Sequence, residues 1–207
     1  MLLSDKPESV AIVVPTCRSP SEIAGQISDM RKTAHCQNIV ATCMKLSASH
    51  NRNIGNDAAS REFHAGIVVH VDDDIEGFYP NWDSDLIAPL LTDPTICFVS
   101  ARLTDRRGGA AFLMEPNADM ETDAVEVTFT PTACCAFRPQ GCRFDERFLG
   151  SGFEDVDLIM KLKQRGPGTR VVINNRCKLI HRNEMKEQSK YYLHNADLFR
   201  SIWGFLP

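Results

Sequence analysis

Apolar and polar positions come in blocks along this chain, and the block lengths separate strands from helices. Val10 to Val14 is a short continuous apolar run of the kind buried in a sheet, expected to break at Pro15. Ser19-Pro20-Ser21-Glu22 then reads as a helix start, with a capping serine, proline at the first helical position and glutamate three residues after the cap. That helix is expected to run to about Ala34. Ile39 to Thr42 reads as a second strand, Asn56 to about His64 as a second helix, and Gly66 to Val71 as a third, largely apolar strand. The result is a β-α-β-α-β half-sheet.

Further strands are expected at Ile96 to Leu103 and Ala110 to Leu113, separated by the turn-prone Asp105-Arg106-Arg107-Gly108-Gly109, with a mobile acidic loop over 115–124. Val125 to Thr130 and Ala133 to Phe137 are strand-like. Gly150-Ser151-Gly152-Phe153 leads into a helix on which Val156, Ile159, Met160 and Lys163 share one face, stopped by Gly166-Pro167-Gly168. Val171 to Ile173 and Lys178 to Ile180 read as closing strands, the second delivering His181, and a last helix is expected from Asn183 to Trp203. Strands alternating with helices define an α/β domain: a mixed, mostly parallel central sheet flanked by helices. With no internal repeat or linker, residues 1–207 are read as a single domain, its halves meeting near 103/104.

Composition narrows the class. The chain has 207 residues, 43% of them hydrophobic and 24% charged, which suits a globular domain with a core of its own and excludes a disordered chain. No apolar run approaches the ~20 residues a membrane-spanning helix requires. The start Met1-Leu2-Leu3-Ser4-Asp5-Lys6 lacks the basic and apolar stretches of a secretory leader. A soluble, cytoplasmic protein is expected, in the host cytoplasm if the chain is viral. The eight cysteines are scattered with no C-x-x-C pair, so reduced buried thiols are expected; their even number leaves an oxidised framework as the alternative.

The net charge of −4 conceals an asymmetry: residues 1–137 carry −9 and residues 138–207 carry +5. Basic residues of the last third either face a phosphate-bearing ligand or lie scattered on exposed helices.

The candidate chemistry begins where the third strand ends, in Asp72-Asp73-Asp74. Carboxylates at the carboxyl end of a strand stand where ligands collect in open α/β sheets, and three together attract a cation; a solvated turn is the other reading. Glu154, Asp155 and Asp157 sit in the first turn of a helix behind a glycine-rich approach. They either complement the helix dipole or offer a carboxylate to a ligand that the glycines let come close.

These residues together carry a family resemblance. Val13-Val14-Pro15-Thr16, Asn51-Arg52-Asn53-Ile54-Gly55, Val71-Asp72-Asp73-Asp74 and Phe148-Leu149-Gly150-Ser151-Gly152-Phe153-Glu154-Asp155-Val156-Asp157-Leu158 follow one another in the order of the nucleotide-sugar glycosyltransferases of GT-A (Rossmann-like) fold. The first three resemble family-2 enzymes, and the last is similar to the acceptor-side segment of the β4-galactosyltransferases. The resemblance spans about residues 9–181.

It implies a metal-dependent, inverting glycosyltransferase of hexosyl type. A nucleoside diphosphate sugar, UDP-linked, is the implied donor, and Mn²⁺ or Mg²⁺ the implied ion. Asp74 would be the principal metal ligand, with His181 and Asp72 beside it; the imidazole favours Mn²⁺. Pro15, Thr16, Arg18, Arg52, Asn53, Asp72 and Asp73 would contact the donor, with Arg52 and Asn53 preceding a helix whose N-terminus faces the diphosphate. Gly152, Phe153 and Glu154 would contact the acceptor, and Asp155 would be the general base. Family-2 members carry an acid for uracil at the end of the second strand, whereas Ala41-Thr42-Cys43-Met44 offers none, which leaves the base open.

The acceptor is expected to be a soluble saccharide, a protein or DNA. In the DNA case, Lys161, Lys163, Arg165, Arg176, Lys178 and Arg182 would face a phosphate backbone and the sugar would go to a hydroxymethylated base. The reading of another class is a non-catalytic metal- or sugar-binding module on the same fold.

Overall fold

The computed structural model describes residues 8–111, 122–166, 168–182 and 190–207. One eight-stranded sheet organises them. Its strands are β1 (Val10–Thr16), β2 (Ile39–Cys43), β3 (Ile67–Val71), β4 (Ile75–Glu76), β5 (Ile96–Thr104), β6 (Ala124–Val127), β7 (Cys134–Phe137) and β8 (Arg170–His181). The order across the sheet is β2-β1-β3-β7-β5-β8-β4, with β6 also paired to β8. β1, β2, β3, β5 and β8 share one direction, and β4, β6 and β7 oppose it.

The helices are α1 (Pro20–Thr33), α2 (Ala48–Phe63), α3 (Trp82–Thr92), α4 (Glu154–Lys163) and α5 (Tyr192–Trp203). Met30 of α1 and Trp82, Leu86 and Leu90 of α3 pack with Ile12, Val14, Val69 and Val71 on one face of the sheet. Ala59 of α2 and Leu158, Ile159 and Leu162 of α4 pack with Ala11, Val13, Val68 and Phe137 on the other. Both faces are covered, which is why β1 and β3 are largely apolar. Among the described residues no helix is long and apolar enough to cross a membrane, and all eight cysteines are free thiols.

Several sequence expectations change. β1 continues through Pro15 to Thr16 because β3 pairs only with Val10 to Val13, so the missing N–H of Pro15 falls beyond that ladder. The helix expected from Asn56 begins eight residues earlier at Ala48, capped by Ser47 Oγ, which accepts from His50 N at 3.3 Å. Its inward face is polar: Ser49, Asn51, Arg52, Asn53 and Asn56 are buried there, so no apolar period marks it. Gly55 lies inside this helix rather than before it. A Cβ at Gly55 would stand 2.2 Å from Val13 Cγ1, so only glycine allows α2 this close to β1.

α3 has no counterpart in the sequence reading because Pro89 interrupts it. A proline leaves the carbonyl four residues back without its N–H partner. Asn174 Nδ2 donates to that carbonyl, Asp85 O, at 2.6 Å. The two closing strands are one strand, β8, and the polar Asn174-Asn175-Arg176 that divided them marks a register shift against β5. Of the strand expected at Ala110 to Leu113, Ala110 forms an isolated bridge to Thr104, and 112–113 lie outside the described residues. In the segment read as an acidic loop, 115–121 lie outside them and Ala124 opens β6. The last helix starts at Tyr192; residues 183–189 lie outside the described set.

Candidate metal and transfer site

The carboxyl ends of β1 and β3, the amino end of β7 and the start of α4 enclose a cleft of about 420 Å³. Pro15, Thr16, Arg52, Asp72, Asp73, Asp74, Gly152, Glu154, Asp155 and His181 all line it. One end collects the aspartate triplet and the other the Glu154-Asp155 pair.

The three aspartates part company as soon as β3 ends. Asp73 accepts a hydrogen bond from Thr16 Oγ1 and lies 3.4 Å from Arg18 Nε. Asp72 Oδ1 accepts from Arg52 Nη2 at 3.0 Å. Asp74 turns inward, is 1% exposed and keeps a buried Oδ1 that accepts no hydrogen bond. That oxygen lies 3.3 Å from Nε2 of His181, which ends β8 opposite Ile75 of β4. Ligand atoms from Asp72, Asp74 and His181 lie within 4.8 Å of one another. Two carboxylates and an imidazole form a donor set that suits a divalent ion of the Mn²⁺ or Mg²⁺ type, with the buried Asp74 Oδ1 left without a hydrogen bond.

At the other end the chain enters α4 through an unusual turn. Gly152 has φ 112° and Phe153, at the cap position, φ 70°. A left-handed phenylalanine is strained, and its ring packs against Tyr192 and Phe199 of α5 at 5.4 and 5.6 Å. The turn points Glu154 back into the cleft, where Gly152 N donates to its Oε2 at 2.5 Å. Asn195 of α5 holds the turn from behind, accepting from Leu149 N at 3.0 Å and donating to Leu149 O and Gly152 O at 2.9 and 3.0 Å. Asp155 accepts from Thr132 Oγ1 and from Thr132 N, the latter at 3.3 Å.

Arg52 joins the two ends. Its guanidinium lies 3.0 Å from Asp72, 3.4 Å from Glu154 and 3.8 Å from Asp155, and 5.4 Å over the ring of Phe144. Burial opposes its charge, but the three carboxylates outweigh burial and raise its pKa above the ordinary arginine value. One cation cannot balance three acids, so Glu154 gives way. Burial first, and Asp155 second, push its carboxyl up to about 7, against the pull of Arg52.

The predicted donor contacts divide. Pro15, Thr16, Arg52, Asp72 and Asp73 line the cleft; Arg18 lines a neighbouring depression with Glu22, Asp73 and Arg182. Asn53 is 1% exposed and turned away, exchanging hydrogen bonds of 3.0 Å with the backbone of Phe144 and donating to Glu146 at 2.8 Å. Arg52 and Asn53 lie within α2 rather than before it, so the helix N-terminus is formed by Ser47 and Ala48 instead. Of the acceptor-side residues, Gly152 and Glu154 line the cleft and Phe153 lies in the contact with α5. Sequence reasoning missed Thr132, Asn195, Leu46 and Asn51; the first two act across 23 and about 43–46 residues, where no local pattern marks them.

This cleft, acidic at both ends, lies at the carboxyl ends of strands of a doubly covered mixed sheet, where ligands collect in open α/β folds. Among solved structures, a mycobacterial protein superposes with a TM-score of 0.59 at 14% identity, covering 94% of this chain and 73% of that one. Glucosyl-3-phosphoglycerate synthase from Mycobacterium tuberculosis, in complex with Mn²⁺, UDP-glucose and phosphoglyceric acid, gives 0.52 at 15% identity, over 85% and 72%. A protein from STIV gives 0.55 at 13% identity, over 87% and 97%. No family model matches this chain. No curated protein matches it either. At such identities the likeness carries the fold, and that fold is GT-A: a mixed central sheet flanked by helices.

Proposed function

We propose that this protein is a metal-dependent, inverting glycosyltransferase that takes a sugar from a nucleoside diphosphate sugar, UDP-linked, to an acceptor hydroxyl. The observation that carries the reading is the convergence in one cleft of Asp72, Asp74 and His181 with Asp155. The neighbouring fold with Mn²⁺ and UDP-glucose supports the choice of ion and donor. Asp74, Asp72 and His181 would hold the ion, which when bound neutralises charge building on the departing diphosphate.

Asp155 takes the proton of the acceptor hydroxyl as that oxygen bonds to the anomeric carbon. The bond from that carbon to the diphosphate breaks, and its electron pair leaves with the diphosphate. Thr132 orients Asp155 for this, and Arg52 holds the Asp155 end against the Asp72 end. Thr16 and Arg18 fix Asp73 at the donor mouth, and Gly152 with Glu154 shape the acceptor side.

A small soluble acceptor fits the charge distribution better than DNA. Four of the six basic residues named for DNA have partners within the chain: Lys161 with Asp157 at 2.6 Å, Arg176 with Asp123 at 2.5 Å, Arg165 with Gln140 O and Arg182 with Asp73 O at 3.0 Å.

The test is incubation with Mn²⁺ and a panel of nucleotide sugars, followed by slow donor hydrolysis and, with an acceptor, by NMR of the product. Hydrolysis of a UDP-sugar and an anomeric configuration opposite to the donor's are expected. A retained configuration removes Asp155 as base, and donor binding without any turnover favours the non-catalytic module.

A further inference from the structure

We propose that Gln26 of α1 is a positioning residue for the metal site, locking the turn that presents Asp72 and Asp74. Ile23 and Met30 are the buried residues of α1, and Gln26 lies between them at helical spacing, three residues after one and four before the other. It is thus a polar side chain in the apolar stripe of an otherwise surface helix. Its Nε2 donates to Asp72 O at 2.8 Å and to Ile75 O at 3.1 Å. Both partners are carbonyls, which assigns the amide nitrogen to that position, and the buried Oε1 accepts no hydrogen bond. The two donated bonds are therefore what the side chain supplies.

They matter because of what the turn contains. Asp72 to Asp74 place three carboxylates on consecutive residues, and their repulsion favours an open, splayed chain. Gln26 ties the first and last carbonyls of the four-residue turn, whose own closure is a 3.2 Å bond from Ile75 N to Asp72 O. Arg182, next to His181, secures the middle: its N donates to Asp74 O and its Nη2 to Asp73 O, both at 3.0 Å. With the carbonyls of residues 72–75 fastened from outside, the carboxylates of Asp72 and Asp74 face the cleft. Groups that orient ligands in this way alter metal affinity by about 10- to 100-fold when removed.

The inference rests on the metal reading of Asp72, Asp74 and His181, and the experiment separates the two. Mn²⁺ is titrated into the donor-free protein, with the unbound ion followed by electron paramagnetic resonance and the metal-free melting temperature recorded in parallel. Gln26→Leu and Gln26→Met keep the bulk and delete both donors. They are expected to weaken Mn²⁺ binding about tenfold or more while the metal-free melting temperature stays at the parent value. Unchanged Mn²⁺ affinity overturns the role of Gln26 and leaves the metal reading standing. So does a loss that merely tracks a drop in metal-free melting temperature in both variants. No Mn²⁺ binding by the unaltered protein overturns the metal reading, and this inference with it.

Discussion

The two ends of the cleft are built in different ways. At the aspartate end, one tripeptide supplies all the carboxylates, and strand ends frame it: Thr16 at the end of β1, next to β3, and His181 at the end of β8, paired with β4. At the Glu154-Asp155 end, the acids follow a left-handed turn that would not hold by itself. It is fastened by Asn195 of α5 and by Thr132 ahead of β7. The first end is built on a turn between strands, fastened by Gln26 and Arg182, the second on a turn held by α5 and Thr132, and Arg52 touches both. A cation site tolerates variation as long as its ligands converge, whereas a base must sit within hydrogen-bond reach of one proton.

The difference is tested most severely by paired substitutions at the two ends. Asp74→Ala removes a buried ligand and is expected to abolish Mn²⁺ binding and lower transfer by about a thousandfold. Asp155→Asn keeps the shape and one accepting oxygen for Thr132, and is expected to lower transfer by about 10²- to 10⁴-fold while Mn²⁺ and donor affinity remain. Titration calorimetry with Mn²⁺ and UDP, alongside turnover, reads both. If Asp155→Asn loses donor affinity as fully as Asp74→Ala, the ends are not separate in function and the assignment of the base falls.

The contrast also explains what was readable in advance. β1, β3 and β5 announce themselves because sheets covered on both faces need largely apolar strands. The acid triplet, His181 and the Glu154-Asp155 pair stood out because their types and positions relative to the elements are local properties. The start of α2 did not, since its inward face carries Ser49, Asn51, Arg52 and Asn53 in place of an apolar stripe. Asn53 is a donor contact only by the resemblance, which sets it ahead of that helix. A buried asparagine bonded to the backbone of Phe144, 91 residues away, leaves no local trace. α3 was hidden by Pro89, whose cost is met by Asn174 from a strand 85 residues further on.

Arg52 is where the two ends become one energetic unit, and removing it is the next sharpest probe. The side chain is 4% exposed with three carboxylates within 4 Å. Arg52→Met keeps much of the apolar stem beside Phe144 but strands those acids. Breaking a buried ion pair from one side costs about 3–5 kcal/mol, and a loss of that size in denaturant unfolding is expected. Loss of under about 1 kcal/mol would show that the cluster is solvated enough for its ends to stand apart.

The finest test concerns Glu154. Its carboxyl ordinarily titrates at 4.5 and in the fold is pushed up to about 7, by burial first and by Asp155 second. Below pH 4.5 the group is protonated in folded and unfolded chain alike. Between 4.5 and about 7 the unfolded chain releases the proton while the fold retains it, so rising pH favours unfolding across that window and the loss is complete above it. Each unit of displacement is worth about 1.4 kcal/mol. Glu154→Gln titrates in neither state and keeps an oxygen for Gly152 N. Its melting temperature is therefore expected to match the parent near pH 4, to pull ahead as pH rises toward 7, and then to hold a constant lead. A flat difference over that range would mean that Arg52 holds Glu154 ionised, leaving three carboxylates charged around one cation.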